Sequence, residues 1–237
     1  MERINSTVKT TGRPSKVLGW FDWFLIVGVI VSNMTYMVLT ESQDYLGAVA
    51  SIAGLLCVVL VAKGSIWNYL FGVINVSLYA YIAYKTAIYG DAVLNAFYYL
   101  PMQFIGYFSW RKRGAAIGGE GNSIVRARRL TWKQRFAIAS GSAILIIIVG
   151  FVLQHFDDPQ PFKDSTTTIL SIIAQLLMAM AFMEQWVLWV IVNAVSVGMW
   201  LICVLRGDAH SGAMLIMWIF YFFNAVNGLR VWLKLSK

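Results

Sequence analysis

The sequence predicts an all-α polytopic membrane protein with eight transmembrane helices and both termini cytoplasmic. Its plan is one extra N-terminal helix plus two parallel three-helix bundles joined by a linker helix, a 3+1+3 pseudo-repeat. Three observations carry this reading: composition, eight long apolar segments, and a one-sided distribution of basic residues. The 237 residues are 59% hydrophobic and 13% charged, with mean hydropathy +0.68. Soluble domains are about 45–50% apolar and about 25% charged. Too little polar surface remains to coat a water-soluble globule, which excludes a soluble enzyme, a disordered chain and a secreted disulfide scaffold.

A spanning helix needs about 20 mostly apolar residues. Segments 17–39, 45–62, 65–84, 92–110, 134–154, 166–183, 185–205 and 212–233 meet that requirement. The first is too long for the apolar region of a signal peptide and lacks a small-residue cleavage site, so it is expected to stay as an anchor. The sixth and seventh abut at Met183 and Glu184, and their combined length favours two spans over one. The chain then divides into 1–43 (tail and extra helix), 44–113 (first bundle), 114–164 (basic loop and linker helix) and 165–237 (second bundle).

Orientation follows from lysine and arginine, which cytoplasmic loops retain. With the N-terminus inside, Arg3, Lys9, Arg13, Lys16, Lys63, Arg111, Lys112, Arg113, Arg126, Arg128, Arg129, Lys133, Arg135, Arg230, Lys234 and Lys237 all face the cytoplasm. Of the 19 basic residues only Lys85, Lys163 and Arg206 face outward. The net charge of +8 is therefore topogenic and no argument for nucleic acid. The loop 111–135, glycine-rich in its middle, reads as a flexible basic connector; binding of anionic lipid headgroups is its sharper alternative. The outer loop with His155, Asp157 and Asp158 reads as a solvated acidic loop, with no metal site expected. Cys57 and Cys203 lie in apolar runs without metal-ligand spacing and read as buried thiols.

An internal repeat underlies the bundle assignment. Asn68–Asn75 (NYLFGVIN) aligns with Trp186–Asn193 (WVLWVIVN), AGLL at 53–56 with AQLL at 174–177, and GYFSWRK at 106–112 with GLRVWLK at 228–234. The matches fall in the same order on consecutive segments. Under the AGLL/AQLL register, Lys63 and Glu184 occupy corresponding cytoplasmic ends. That placement predicts a salt bridge closing the inner side of a pathway; two unrelated interfacial charges are the alternative.

Polar side chains inside spans are costly and turn toward protein or water. Trp186, Trp189, Asn193, Ser196 and Trp200 lie on one face of the seventh helix; Asn68, Phe71, Asn75 and Tyr79 on one face of the third. The fourth offers Asn95, Tyr99, Gln103 and Tyr107, and the eighth Tyr221, Asn224 and Asn227. Rings supply stacking faces that also attract a delocalised cation, and amides supply both donors and acceptors. Such stripes suit a flat ring bearing amide and hydroxyl groups. No acid or base sits in the middle of spans two to eight, which suits neither phosphates nor metal ions and favours facilitated diffusion over ion coupling. Trp186 serves equally well in an interfacial aromatic belt. The asparagines and Gln103 serve equally well as interhelical hydrogen-bonding groups. Tyr98, Tyr99 and Pro101 read as packing and a helix kink. No intramembrane cluster suited to catalysis is present, so an enzyme is not expected.

E184QWVLWVIVN193, N68YLFGVIN75 and the run Q103FIGYFSWRK112 resemble the PnuC family of bacterial vitamin transporters over spans two to eight. The resemblance implies facilitated uptake of nicotinamide riboside, an NAD precursor, across the bacterial inner membrane, with trapping by a cytoplasmic kinase and no cofactor in the carrier itself. It also implies a fold like the SWEET sugar transporters and homo-oligomers, a trimer among them. Trp186, Trp189 and Asn193 match the family motif and would bind nicotinamide or ribose. Asn68, Asn75, Gln103, Tyr107, Asn224 and Asn227 join them from the facing stripes. Another vitamin such as thiamine or riboflavin, or a sugar, remains the alternative cargo on this fold.

Overall fold

The computed structural model describes residues 18–39, 45–85, 89–114, 125–156, 160–206 and 211–236, and among them regular structure is helical throughout. Eight rods follow the eight apolar segments: α1 (Trp20–Leu39), α2 (Tyr45–Ala62), α3 (Asn68–Lys85), a composite α4 (Tyr89–Leu94, Asn95–Tyr99 and Leu100–Lys112), α5 (Trp132–His155), α6 (Pro161–Ala179), α7 (Gln185–Arg206) and α8 (Ser211–Leu235). Local chemistry sets several ends. Thr131 caps α5 by accepting from Gln134 N at 3.4 Å, while Gln134 Oε1 accepts from Thr131 N at 2.9 Å. Pro161 opens α6, where its missing N–H costs nothing.

By length and composition alone α1, α2 and α5 suffice to cross a membrane. At about 1.5 Å per residue, the 24 residues of α5 exceed an apolar thickness of about 30 Å. Only 11% of its apolar window is buried, and Phe136, Ile144, Leu145, Ile147, Ile148 and Phe151 face outward. Soluble monomers seldom expose so continuous an apolar belt. Of the other five, α3, α4, α7 and α8 carry asparagines within their length.

The kink expected around Pro101 takes a definite form. Asn95–Tyr99 is a π turn, with Leu100 N bonded to Asn95 O. A proline in a helix lacks its N–H and crowds the carbonyl four residues back; the wider turn just before Pro101 absorbs both effects. Tyr98 is then placed to donate to Ile172 O at 2.6 Å, fixing α4 on α6.

Packing follows a cyclic order. Neighbours pair as α2 with α3, α3 with α4, α6 with α7 and α7 with α8. The two triplets meet at α2 with α8 and at α4 with α6, first helix against third in both cases. Helix α1 lies on α2 and α8, and α5 lies on α6. The loops ending α2 and α6 have the same geometry. Gly64 (φ 68°) and Ala181 (φ 59°) occupy the left-handed region, and each loop bonds back five residues, Ser65 N to Leu60 O and Phe182 N to Leu177 O, both at 2.9 Å. These loops use residues that the spans 65–84 and 166–183 had claimed: α3 starts only at Asn68 and α6 ends at Ala179. The loop register sets Tyr69 opposite Trp186, one residue from the sequence alignment.

The second half of the basic loop is no free connector. Val125 N donates to Gly64 O and Arg128 N to Ala181 O, each at 2.8 Å, and Met183 N donates to Arg128 O at 2.9 Å. Residues 125–130 thus form an extended strap tied to both loops, with the Arg128 guanidinium over the Phe182 ring at 4.3 Å. Its glycine-rich first half, 115–124, lies outside the described residues, as do the N-terminal tail, Asp157 and Asp158.

Candidate functional site

At the loop end, five rings form a continuous ladder: Trp186, Trp232, Trp110, Tyr69 and Tyr107, with successive centroids 6.3, 5.6, 5.1 and 6.4 Å apart. Two glycines let the ladder form. A Cβ on Gly106 would stand 2.5 Å from the Tyr69 ring, and one on Gly228 would overlap the ring of Trp186. Trp110 Nε1 donates to Met178 O at 2.8 Å and Trp232 Nε1 to Val61 O at 2.9 Å, so each triplet holds the other. Trp186 is only 2% exposed and its Nε1 has no partner among the described residues. It sits in this packed layer, with Trp189 half-buried against the same cluster one turn further along α7.

Beyond the ladder, amides of α3 and α8 bond to α2. Gly54 lets α3 and α8 approach: a Cβ there would lie 2.7 Å from Asn75 Nδ2 and 3.2 Å from Tyr221 Oη. Asn75 Nδ2 donates to Ala50 O at 2.8 Å, and Asn224 Nδ2 to Val58 O at 3.1 Å. Asn193 Nδ2 reaches Tyr221 O at 3.1 Å, linking α7 to α8. Gln103, 4% exposed, packs its Oε1 against Gly72 on α3, and its Nε2 donates back to Tyr99 O at 3.3 Å. Gln103 Oε1 and Asn224 Oδ1 are buried acceptors with no partner among the described residues, as is Asn68 Oδ1 beside its loop. Buried polar groups are ordinarily satisfied, so orphaned acceptors are where the donors of a ligand would gain most.

Sorted this way, the expected residues divide. Asn75 and Asn224 bond to α2, Asn193 bonds to α8, Gln103 faces Gly72 of α3, and Trp189 packs beside the ladder that Trp186 begins. Asn68 turns elsewhere: fully buried, its Nδ2 donates to Ser65 O at 2.6 Å, bracing its own loop. Tyr107 meets Tyr69 edge to face and accepts from Arg111 Nη1 at 3.5 Å, at the rim. Asn227 is half-buried on α8.

Lys63 and Glu184 do not pair with each other. Lys63 Nζ lies 2.6 Å from Asp22 Oδ2 of α1, and Glu184 Oε1 lies 2.7 Å from Arg135 Nη2 of α5. Glu184 Oε1 also accepts from Leu130 N of the strap at 3.1 Å. Each charge is taken by the helix flanking its own triplet, and the loop register places Lys63 at one end of its turn and Glu184 at the other. The apparent symmetry between them came from a register that the two loops do not keep.

Sequence reasoning offered Tyr221 on the α8 stripe and matched Gly106 with Gly228 in the repeat, but missed Gly54 and Gly72 and the supporting role of all four glycines. Glycine beside an amide or ring on a neighbouring apolar segment was the available signal. Gln175 and Gln185, 5% and 0% exposed, were missed as well; both are buried amides beside the α6–α7 loop.

An all-helical chain with outward apolar belts and an uncharged, ring-flanked polar centre has the makings of a carrier, and the comparisons agree. A profile of the family described as "Nicotinamide mononucleotide transporter" matches residues 44–234. The "Nicotinamide riboside transporter PnuC" of Neisseria mucosa is 38% identical over 220 residues, covering 92% of this chain and 84% of the relative. That of Haemophilus influenzae is 32% identical, covering 93% and 94%. A solved structure, "Crystal structure of the Vitamin B3 transporter PnuC", superposes with TM-score 0.74 at 34% identity, covering 92% of each chain. The protein is a membrane transporter, not an enzyme. It belongs to the PnuC family.

Proposed function

We propose that this protein takes up nicotinamide riboside by facilitated diffusion across a bacterial inner membrane, with a cytoplasmic kinase trapping the product. The observation that carries the reading is Gln103 Oε1 on α4 and Asn224 Oδ1 on α8, buried acceptors without a partner among the described residues. Nicotinamide riboside is a flat pyridinium bearing a carboxamide and a ribose. Its ring suits the tryptophan and tyrosine faces, and its amide N–H and hydroxyl groups suit the orphaned acceptors. The names of the relatives support the riboside, and the family description names the mononucleotide. The centre favours the riboside: a phosphate adds about −1.5 to −2 charge and calls for lysine or arginine, whereas Asn75, Gln103, Asn193 and Asn224 are neutral.

Four uncharged amides favour a uniporter, since proton relays and cation cages need ionisable groups within the span. Eight spans with both termini cytoplasmic put the strap, the ring ladder and both loops on the inner side. The two triplets act as parallel bundles around the amides, a plan that the matching loops and the reciprocal tryptophans support. The carrier works as a homo-oligomer, each copy holding its own site.

Proteoliposome flux tests the proposal. Labelled nicotinamide riboside should equilibrate to equal internal and external concentration, saturably, at the same rate with or without a proton gradient. Gradient-driven accumulation would overturn facilitated diffusion; no saturable flux would overturn the substrate.

A further inference from the structure

We propose that the C-terminal end of α8 and the strap form a binding site for an anionic phospholipid. A groove of about 550 Å³ opens there, lined by Val226, Leu229 and Leu233 along one stripe of α8, by Arg230 and Lys234 beside them, and by Arg129 of the strap. Arg129 is held in place: its Nε donates to Ser236 Oγ at 2.9 Å and its Nη2 to Leu233 O at 3.0 Å. Those bonds use two of the five N–H donors of a guanidinium. Arg230 and Lys234 are exposed and, among the described residues, form no ion pair, whereas Lys63 and Arg135 both do.

The two halves of the groove select an amphiphile. Val226 and Leu233, 44% and 40% exposed, offer an apolar strip to an acyl chain, and the three cations at its end offer charge-assisted bonds to a phosphodiester. Free phosphate would leave the apolar strip wet. A second copy of the same face would bring three more cations against these three, so self-association is disfavoured. The site is independent of the carried solute and rests only on α8 ending at the membrane surface.

Native mass spectrometry of the purified full-length protein in detergent tests it, with dioleoylphosphatidylglycerol, dioleoylphosphatidylcholine and inorganic phosphate as probes. Phosphatidylglycerol should be retained in preference to phosphatidylcholine. The double substitution Arg230→Gln with Lys234→Gln should weaken phosphatidylglycerol about thirtyfold, at roughly a fivefold contribution per cation, and leave phosphatidylcholine unchanged. Val226→Gln, which alters the strip and keeps every charge, should weaken both lipids and supplies the test should the double variant unfold. Equal retention of both lipids, or a double variant as tight as the unchanged protein, would overturn the proposal. So would displacement of phosphatidylglycerol by millimolar phosphate, or a change of oligomeric mass in the double variant. Nicotinamide riboside binding on the same preparations reports separately on the transport reading, because Arg230 and Lys234 lie outside the amide centre.

Discussion

Trp110 and Trp232 stand with ring centroids 5.6 Å apart, and each gives its indole N–H to the triplet it does not belong to, Trp110 to Met178 O and Trp232 to Val61 O. Both rings are fully buried. Met178 and Val61 occupy the same place in their two loops, three residues before Ala181 and Gly64. The exchange is therefore reciprocal and clamps the halves at one end of the molecule.

Trp110→Phe and Trp232→Phe should each lower stability by about 0.5–1.5 kcal/mol, the net worth of one hydrogen bond, since Met178 O and Val61 O keep their bonds from Ala181 N and Gly64 N. Because the rings touch, the double variant should depart from additivity by at least about 0.5 kcal/mol. Thermal melts in detergent give both quantities; strict additivity would mean that the two clamps act separately.

Gly106→Ala and Gly228→Ala place a methyl group against the rings of Tyr69 and Trp186. Overpacking of that kind costs about 1–3 kcal/mol. Gly141 and Gly198, which face open space, serve as controls, since alanine there should be neutral or mildly stabilising in the same melts. Equal effects at all four positions would remove the ladder from the explanation.

Asp22, 1% exposed, holds Lys63, whose side chain is 24% exposed. Asp22→Asn should destabilise by about 1–3 kcal/mol, less than a fully buried pair would lose because solvent screens the lysine. Exchanging the partners, Asp22→Lys with Lys63→Asp, should restore much of that loss. Exchanging Lys63→Glu with Glu184→Lys should restore none. Rescue by the second exchange and not by the first would reinstate the direct bridge.

Each of the eight apolar runs became a helical rod, most plainly α1, α2 and α5, which are long and apolar enough to cross a membrane. The tryptophan and glycine of GYFSWRK and GLRVWLK were legible as a repeat, and Trp110 and Trp232 do play matching parts. The details at the loops were not legible. Ala181 adopts a left-handed φ that an L-residue enters at about 1–2 kcal/mol, so nothing in its side chain announced the turn that Gly64 makes in the other half. Asn68 and Gln103 look alike as polar residues on apolar helices. Both keep a buried carbonyl oxygen without a described partner, and geometry separates them by place: Asn68 braces the loop after α2, and Gln103 faces α3 at Gly72. Charge partners were hidden for the same reason: Lys63 and Glu184 were compared with each other, while α1 and α5 supplied Asp22 and Arg135.

Gln103→Met keeps length and removes the orphaned acceptor, whose oxygen makes no other described bond. Affinity for nicotinamide riboside should fall about tenfold, the worth of one hydrogen bond in a dry site, with melting unchanged. Asn68→Ala should show the opposite pattern, a lower melting temperature and an unaltered affinity in the folded fraction. Reversal of the two patterns would exchange their assigned roles.

The most direct measurement is equilibrium binding to the purified protein, followed by tryptophan fluorescence, with nicotinamide riboside, nicotinamide mononucleotide, riboflavin and a simple hexose as titrants. Saturable quenching by the riboside, at least tenfold weaker binding of the mononucleotide (about 1.4 kcal/mol), and loss of the signal in Asn193→Ala with Gln103→Met are expected. Binding of the mononucleotide as tight as the riboside, or an undiminished response in that double variant, would contradict a neutral ring-and-amide site at α2, α4, α7 and α8.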